Sequence, residues 1–364
     1  MDQINRIIHF KIPMSICNLR CHYCYLSQRD KCFQGEQPQM KYSSEFFGRA
    51  FSKERLGGVA YFNFCADGET MLVKDIDKYI KAVIEQGHYV ELISNMTVTK
   101  MVDRFLEWDK ELLKHIEFKG SFHYLEFKEK GLLNTYADNI NRVRKAGASV
   151  SVEITPSDEL IPLLDEVKVF SKKKFGALPH ITIARDDRTK DIDYLTNLSM
   201  EEYDKVWSEF ESGLWNFKKS IFKVKRKEFC YAGLWSLYIN FYTGATKPCY
   251  CGKYMDNFYE NIDEPYKFRP IGKCLLPHCF NGHMLLGYGL IPELDTPEYA
   301  VMRDRVKDDG SHWINEDLLS FMTTKLRESQ DEINGILKFY YRSKTVADDI
   351  FSKTKQRIKR LLRK

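Results

Sequence analysis

Between Arg6 and Arg185 the chain alternates short apolar runs with amphipathic stretches, and this alternation restricts its fold more than any other feature. The segments RIIHFKI, GVAYFNFC, YVELIS, HIEFKGSF, SVSVEIT and HITIAR read as strands. Between them SSEFFGRAFSK, VKDIDKYIKAVIEQG, TKMVDRFLEWDKELLK, YADNINRVRKAG and residues 158–173 read as helices. Ser43 or Ser44 supplies a cap for the first, and Gly87 and Gly147 stop two of the others. Strand–helix units joined by short connections call for a parallel sheet, because each crossover needs a helix to return the chain. The expected fold class is α/β, a partial (β/α)6 parallel barrel.

Parallel barrels carry their chemistry at the C-terminal ends of the strands. The chemically unusual residues of this chain cluster there. Cys17, Cys21 and Cys24 follow the first strand, and Cys65 ends the second, with ADGET directly after it. Ser94 and Asn95 end the third, Ser121 and His123 the fourth, Glu153 lies near the end of the fifth, and Arg185 ends the sixth. All are expected on one rim.

The chain of 364 residues, 43% hydrophobic and 14% aromatic, has the composition of a globular protein. No apolar run reaches the roughly 18 residues a membrane-spanning helix needs. The N-terminal segment MDQINRIIHFKIPMS lacks the pattern of a secretory signal, so a cytoplasmic location is expected. Ten cysteines in such a setting point to metal or redox chemistry in preference to disulfides.

Three thiols spaced CxxxCxxC, with no fourth nearby, suit a 4Fe–4S cube better than a zinc site. Three ligands leave one iron open, whereas structural zinc sites are closed by four. Here the sequence CNLRCHYC resembles the signature of the radical S-adenosylmethionine (SAM) superfamily, including the aromatic Tyr23 before the last cysteine. The resemblance covers about residues 7–190. It implies that Cys17, Cys21 and Cys24 hold the cluster and that SAM chelates its open iron. One electron then cleaves SAM to methionine and a 5′-deoxyadenosyl radical. The family's Gly-Gly-Glu-Pro-like turn after strand two reads CADGETML here. Gly68 and Glu69 match, while Asp67 and Thr70 replace the usual glycine and proline. Either Asp67 or Glu69 would meet the SAM ammonium. Ser94, Asn95 and Ser121 would contact ribose and carboxylate, and Arg185 would pair with the carboxylate. An external electron donor such as a flavodoxin or ferredoxin is also implied.

After about residue 215 the pattern gives way to a region rich in Cys, Gly and aromatics. Thirteen residues separate Cys230 from Gly244 and four separate Gly244 from Cys249, with the alternating run SLYINFY between. This resembles the opening half of the SPASM/twitch extension, a Cys-rich β-hairpin that binds an auxiliary 4Fe–4S cluster. The closing half offers only Cys274 and Cys279, in CLLPHC. A twitch-like cluster held by Cys230, Cys249, Cys274 and Cys279 is therefore expected. Cys251 is left over, and a zinc site drawing on His278 or His283 is the alternative. The expected organisation is a barrel over 1–215, the extension over 216–295 and a helical tail over 296–364.

A deoxyadenosyl radical removes a hydrogen atom without an acid or base; the next step sets the reaction. Oxidation needs a base and an electron acceptor, whereas epimerisation needs a thiol to return a hydrogen atom. Cys65 and Cys251 are the candidate thiols, and His123, Tyr124, Glu153 and Asp186 the candidate bases or substrate contacts.

The last twelve residues hold seven Lys or Arg and no acid, so the net charge of +5 lies entirely in the tail and the remainder carries −2. Ile350, Phe351, Ile358, Leu361 and Leu362 fall near one helical face, a pattern suited to an anionic membrane surface. Nucleic acid is not expected as a partner, because no basic stripe with interleaved aromatics is present. Relatives of this type act on small molecules, glycans or peptides. The absence of room for a leader-binding domain before the barrel, with the basic tail, favours a carbohydrate or lipid-linked glycan over a ribosomally made peptide. A reading of another class is a non-enzymatic iron–sulfur or zinc protein, which would have closed clusters and no SAM site.

Overall fold

In a computed structural model, which describes residues 2–28, 35–250 and 252–361, the expected strands form one sheet. They are β1 (Arg6–Ile12), β2 (Ala60–Ala66), β3 (Tyr89–Ser94), β4 (Ile116–Ser121), β5 (Ser149–Ile154) and β6 (His180–Ile181). β7 (Arg185–Asp186) and β8 (Asp193–Tyr194) make a separate antiparallel pair. β9 (Ser236–Asn240) and β10 (Thr246–Lys247) are the expected hairpin. The sheet order is β10-β9-β1-β2-β3-β4-β5-β6, parallel from β9 to β6, and it does not close.

The Cys-rich hairpin continues the barrel's own sheet: β9 pairs in parallel with β1, from Ile7 opposite Ser236 to Lys11 opposite Asn240. It covers the backbone edge that β1 would otherwise expose. Gly244 makes its turn at φ +73°, where a Cβ would lie 2.3 Å from Asn257 Oδ1. The sixth strand pairs with β5 only over His180–Ile181, so Arg185 belongs to the β7–β8 ladder.

Within the expected tail, the described residues end in the long helix Gly335–Leu361. Residues 299–328 fold under the N-terminal ends of the strands. Trp313 accepts from the Val150 amide at 3.1 Å, Asn315 donates to the Lys114 carbonyl at 3.0 Å, and Phe321 stacks on Tyr89 at 4.2 Å.

The period of two along each strand sorts two faces. Phe10, Phe62, Phe64, Val90, Leu92, Phe118, Val150 and Val152 join the apolar layer under the helices. The intervening Asn63, Glu91, Glu117, Lys119, Ser151 and Glu153 share the opposite, interior face, and they are largely hidden from solvent. Arg303, from the segment closing the bottom, enters this polar interior. It donates to Glu117 at 3.0 Å, to Glu153 at 3.1 Å and to the Ser151 hydroxyl. Burying these charges is tolerable because each is matched by opposite charge and hydrogen bonds.

Candidate active site

The loop after β1 brings three thiols together. Its turns are closed by the Cys24 amide on the Cys21 carbonyl at 3.1 Å and the Ser27 amide on the Cys24 carbonyl at 3.0 Å. Cys17, Cys21 and Cys24 all line one cavity of ≈ 230 Å³ at the C-terminal ends of the strands. Gly68 lets the loop after β2 approach this one, since a Cβ there would lie 2.2 Å from the Ile16 carbonyl oxygen. The Glu69 amide donates to that same oxygen at 2.9 Å.

Glu69 is 3% exposed and lines the cavity. It accepts from the Ser94 hydroxyl at 2.6 Å, the Asn95 amide at 2.8 Å and the Met71 amide at 2.8 Å. Burial raises its pKa in spite of these three bonds. A carboxyl so placed gains from a cationic partner. Asp67 does not line the cavity; it pairs with Lys11 from the neighbouring strand, and of the two acids Glu69 alone is among the lining residues. Thr70 accepts from the Ala66 amide at 3.1 Å, which steadies the turn.

Ser94, Asn95, Ser121, Cys65, His123, Glu153 and Arg185 line the same cavity. Ser94 and Asn95 are engaged in holding Glu69, and Asn95 also donates to Asn18 at 2.8 Å. Arg185 lies over the rings of Tyr25 at 4.5 Å and Phe280 at 5.1 Å, and its Nε is 3.5 Å from Asp187. His123 Nδ1 is 2.6 Å from the Tyr23 hydroxyl, and burial lowers its pKa to about 4. The Cys65 thiol is pushed up to about 12 by burial, so it stays protonated.

Glu153 is an unfit base. Burial pushes its carboxyl up, but Lys119 at 3.0 Å, Arg303 at 3.1 Å and the nearby Lys218 outweigh burial and hold it far below the ordinary range. Tyr124 and Asp186 are not among the cavity's lining residues. Tyr124 donates to Glu166 at 2.5 Å, and Asp186 pairs with Arg188 at 2.8 Å. Cys251 lies outside the described residues.

The lining also includes Tyr25, Lys119, Thr182, Lys218 and Asn281, which sequence reasoning missed. Lys119 had a signal, a charge on the same period-two face as Glu117 inside an apolar strand. Lys218 had none, because WNFKKSIF reads as an ordinary amphipathic helix.

Cys230, Cys249, Cys274 and Cys279 line a second, smaller cavity whose other walls include Ile271, Leu285, Leu286 and Leu290. Asn281 borders both cavities, and it donates to the Tyr250 hydroxyl at 3.2 Å. Both sulfur sets suit iron–sulfur cubes in donor chemistry and number, three with one iron left open and four in closed ligation. Among the described residues no group of three or more His, Cys, Asp and Glu side chains is placed to hold a single metal ion. His278 Nε2 is turned to the carbonyls of Asp191 and Ile192, at 2.9 and 3.1 Å. His283 sits within the field of Lys218, Lys119 and Glu153. Neither histidine lines the four-cysteine cavity.

No family model matches the chain, and no curated protein matches it. Among solved structures, the chain is similar to SuiB of Streptococcus suis, at 13% identity over 73% of this chain and 66% of that one, with TM-score 0.45. It is similar to anSMEcpe with bound AdoMet and Cp18Cys peptide, at 14% identity over 70% and 77%, with TM-score 0.49. It is also similar to BtrN in complex with AdoMet and 2-DOIA, at 16% identity over 72% and 82%, with TM-score 0.32. The chain spans about two thirds of the SuiB chain it matches. These are likenesses of backbone architecture. In its open parallel sheet, in the triad after β1 and in the acid loop after β2, the chain resembles the radical SAM superfamily.

Proposed function

We propose that this protein is a radical SAM enzyme with an auxiliary 4Fe–4S cluster, acting in a reducing, cytoplasmic compartment. The observation that carries the reading is the meeting of Cys17, Cys21, Cys24 and the buried Glu69 in one cavity at the C-terminal ends of the strands. When bound, the first cluster supplies the electron that splits SAM into methionine and the 5′-deoxyadenosyl radical, which takes a hydrogen atom from substrate.

The chain's own residues bind and orient. Glu69, held by Ser94 and the Asn95 amide, receives the SAM ammonium. Arg185, braced on Tyr25 and Phe280, receives the carboxylate, and Ser121 and Asn95 offer polar atoms to the ribose. Tyr23 and His123 hold each other on the wall beside the triad. Cys230, Cys249, Cys274 and Cys279 would hold the second cluster, an electron acceptor for an oxidation. Cys65, protonated and in the cavity, is placed to return a hydrogen atom, the feature that favours epimerisation as the second reading.

The substrate class we favour is a carbohydrate or lipid-linked glycan, with a ribosomally made peptide as the alternative. Exposed Ile350, Phe351 and Ile358 on the terminal helix support contact with a membrane surface. A flavodoxin or ferredoxin would deliver the electron.

The test is SAM cleavage by the anaerobically reconstituted, reduced protein, with iron and zinc counted on the same sample. About eight irons per chain, two cubes' worth, with 5′-deoxyadenosine formed by wild type and lost in Cys21→Ala, supports the reading. Zinc in place of iron, or reduced clusters that leave SAM intact, sinks it in favour of a metal-stabilised binding protein.

A further inference from the structure

The cations around the cavity differ in what already neutralises them. Lys119 pairs with Glu153 at 3.0 Å, and the same carboxylate takes Arg303 at 3.1 Å. Arg185 has Asp187 at 3.5 Å. Lys218, on the helix Gly213–Ile221, has no carboxylate within ion-pair distance among the described residues. Its one hydrogen bond there is to a neutral group, the Thr182 hydroxyl, at 2.5 Å.

Lys218 is 4% exposed, yet it lines the cavity. Glu153 lies near enough to act on Lys218 but makes no ion pair with it and is already taken by Lys119 and Arg303. An ammonium with no carboxylate in contact is costly to bury, and a methionine of similar length would fill the space without that cost. A lysine kept in such a place is explained by a charge that arrives with a ligand. Thr182 and Lys119 line the same cavity and add a hydroxyl and a second ammonium.

We propose that Lys218, with Lys119 and the Thr182 hydroxyl, forms an oxyanion subsite that holds a carboxylate or phosphate group of the substrate. The proposal rests on the reading of this cavity as a substrate site and narrows the substrate class to an anionic molecule.

Binding there is coupled to a proton. Burial lowers the Lys218 pKa to about 7. Lys119, Arg185 and Arg303 push it the same way, and Glu153 opposes. His283, whose own pKa burial lowers well below its ordinary value, stays neutral beside it. An anion favours the charged amine, so binding takes up a proton near neutrality. Affinity is full below the Lys218 pKa and falls as pH rises above it, by up to about tenfold per pH unit.

The experiment is calorimetric titration of the reconstituted, SAM-loaded protein with inorganic phosphate and with acetate, in two buffers of different ionisation enthalpy. Binding of at least one probe with proton uptake, weakened about tenfold or more in Lys218→Met and restored in Lys218→Arg, is expected. The stronger probe tells phosphate from carboxylate. Equal affinity in wild type and Lys218→Met, or no binding of either probe, overturns the subsite. SAM affinity is measured on the same variants; if it falls with that of the probes, the occupant is the SAM carboxylate and the proposal fails. Thr182→Val, which removes only a hydroxyl, covers the case in which Lys218→Met does not fold, and it too must weaken the probe. Failure of wild type to form 5′-deoxyadenosine undoes the radical reading separately, since anion binding is read without turnover.

Discussion

Arg303 Nε donates to Oε1 of Glu117 at 3.0 Å, and both side chains are fully buried. The pair joins the segment beneath the barrel to β4, which lies between β3 and β5 in the sheet. Arg303→Met leaves Glu117 and Glu153 without their shared cation, and removing one partner of a buried pair costs about 3–5 kcal/mol. Urea unfolding should show the loss. An unchanged midpoint would mean that the polar interior does not depend on this arginine.

Ser94 holds the acid expected to receive the SAM ammonium. Ser94→Ala removes one of three hydrogen bonds to a buried carboxylate, which should cost about 1–3 kcal/mol in SAM binding. Glu69→Gln should cost more, since it removes the charge itself. Calorimetric SAM titration of both variants checks the order, and equal losses would contradict it. SAM affinity of wild type should also fall as pH drops through the Glu69 pKa, which burial raises, because only the ionised form attracts the ammonium.

The four-cysteine cavity predicts a split in iron content. Cys274→Ser should lower it from about eight to about four per chain, and Cys21→Ala should do the same by emptying the other site. Only Cys21→Ala should abolish reductive SAM cleavage outright. Iron assays and product analysis distinguish them. Unchanged iron in Cys274→Ser would remove the auxiliary cluster.

His88 predicts a pH response of stability. It accepts from the Ala60 amide at 3.1 Å and reaches the Phe51 carbonyl at 2.7 Å, and burial lowers its pKa from 6.5 to about 4. The unfolded chain therefore binds the proton first as pH falls. The stability from neutral His88 is complete above 6.5 and declines toward 4. By pH 5 the loss is about 2 kcal/mol. Urea titrations at neutral pH and near pH 5 should show it, with a flatter dependence in His88→Gln.

The terminal helix carries the membrane expectation. Phe351 is 71% exposed, whereas Thr345 reaches the Ile271 carbonyl at 2.5 Å and ties the earlier turns to the body of the protein. Removal of residues 350–364 should abolish co-sedimentation with anionic vesicles while leaving the unfolding midpoint unchanged. Retention of vesicle binding would assign it elsewhere.

Local pattern alone was enough to place the first five strands of the sheet, the helices between them and most of the rim residues. Period-two alternation and capping residues act within a few positions of the chain, and CNLRCHYC and CADGETML each keep their cavity-lining residues within one loop. The grouping of Cys230, Cys249, Cys274 and Cys279 in one cavity was also expected, from the resemblance to the SPASM/twitch extension. Only the tertiary structure turned Glu69 into the cavity and Asp67 toward Lys11, because two acids two residues apart are told apart by their neighbours. It joined β9 to β1 across more than two hundred residues of sequence. It also brought Arg303 beneath Glu117 and Lys218 to the wall beside Thr182. Long-range charge pairing leaves no period in a sequence, since its partners are chosen by the folded sheet and not by the intervening chain.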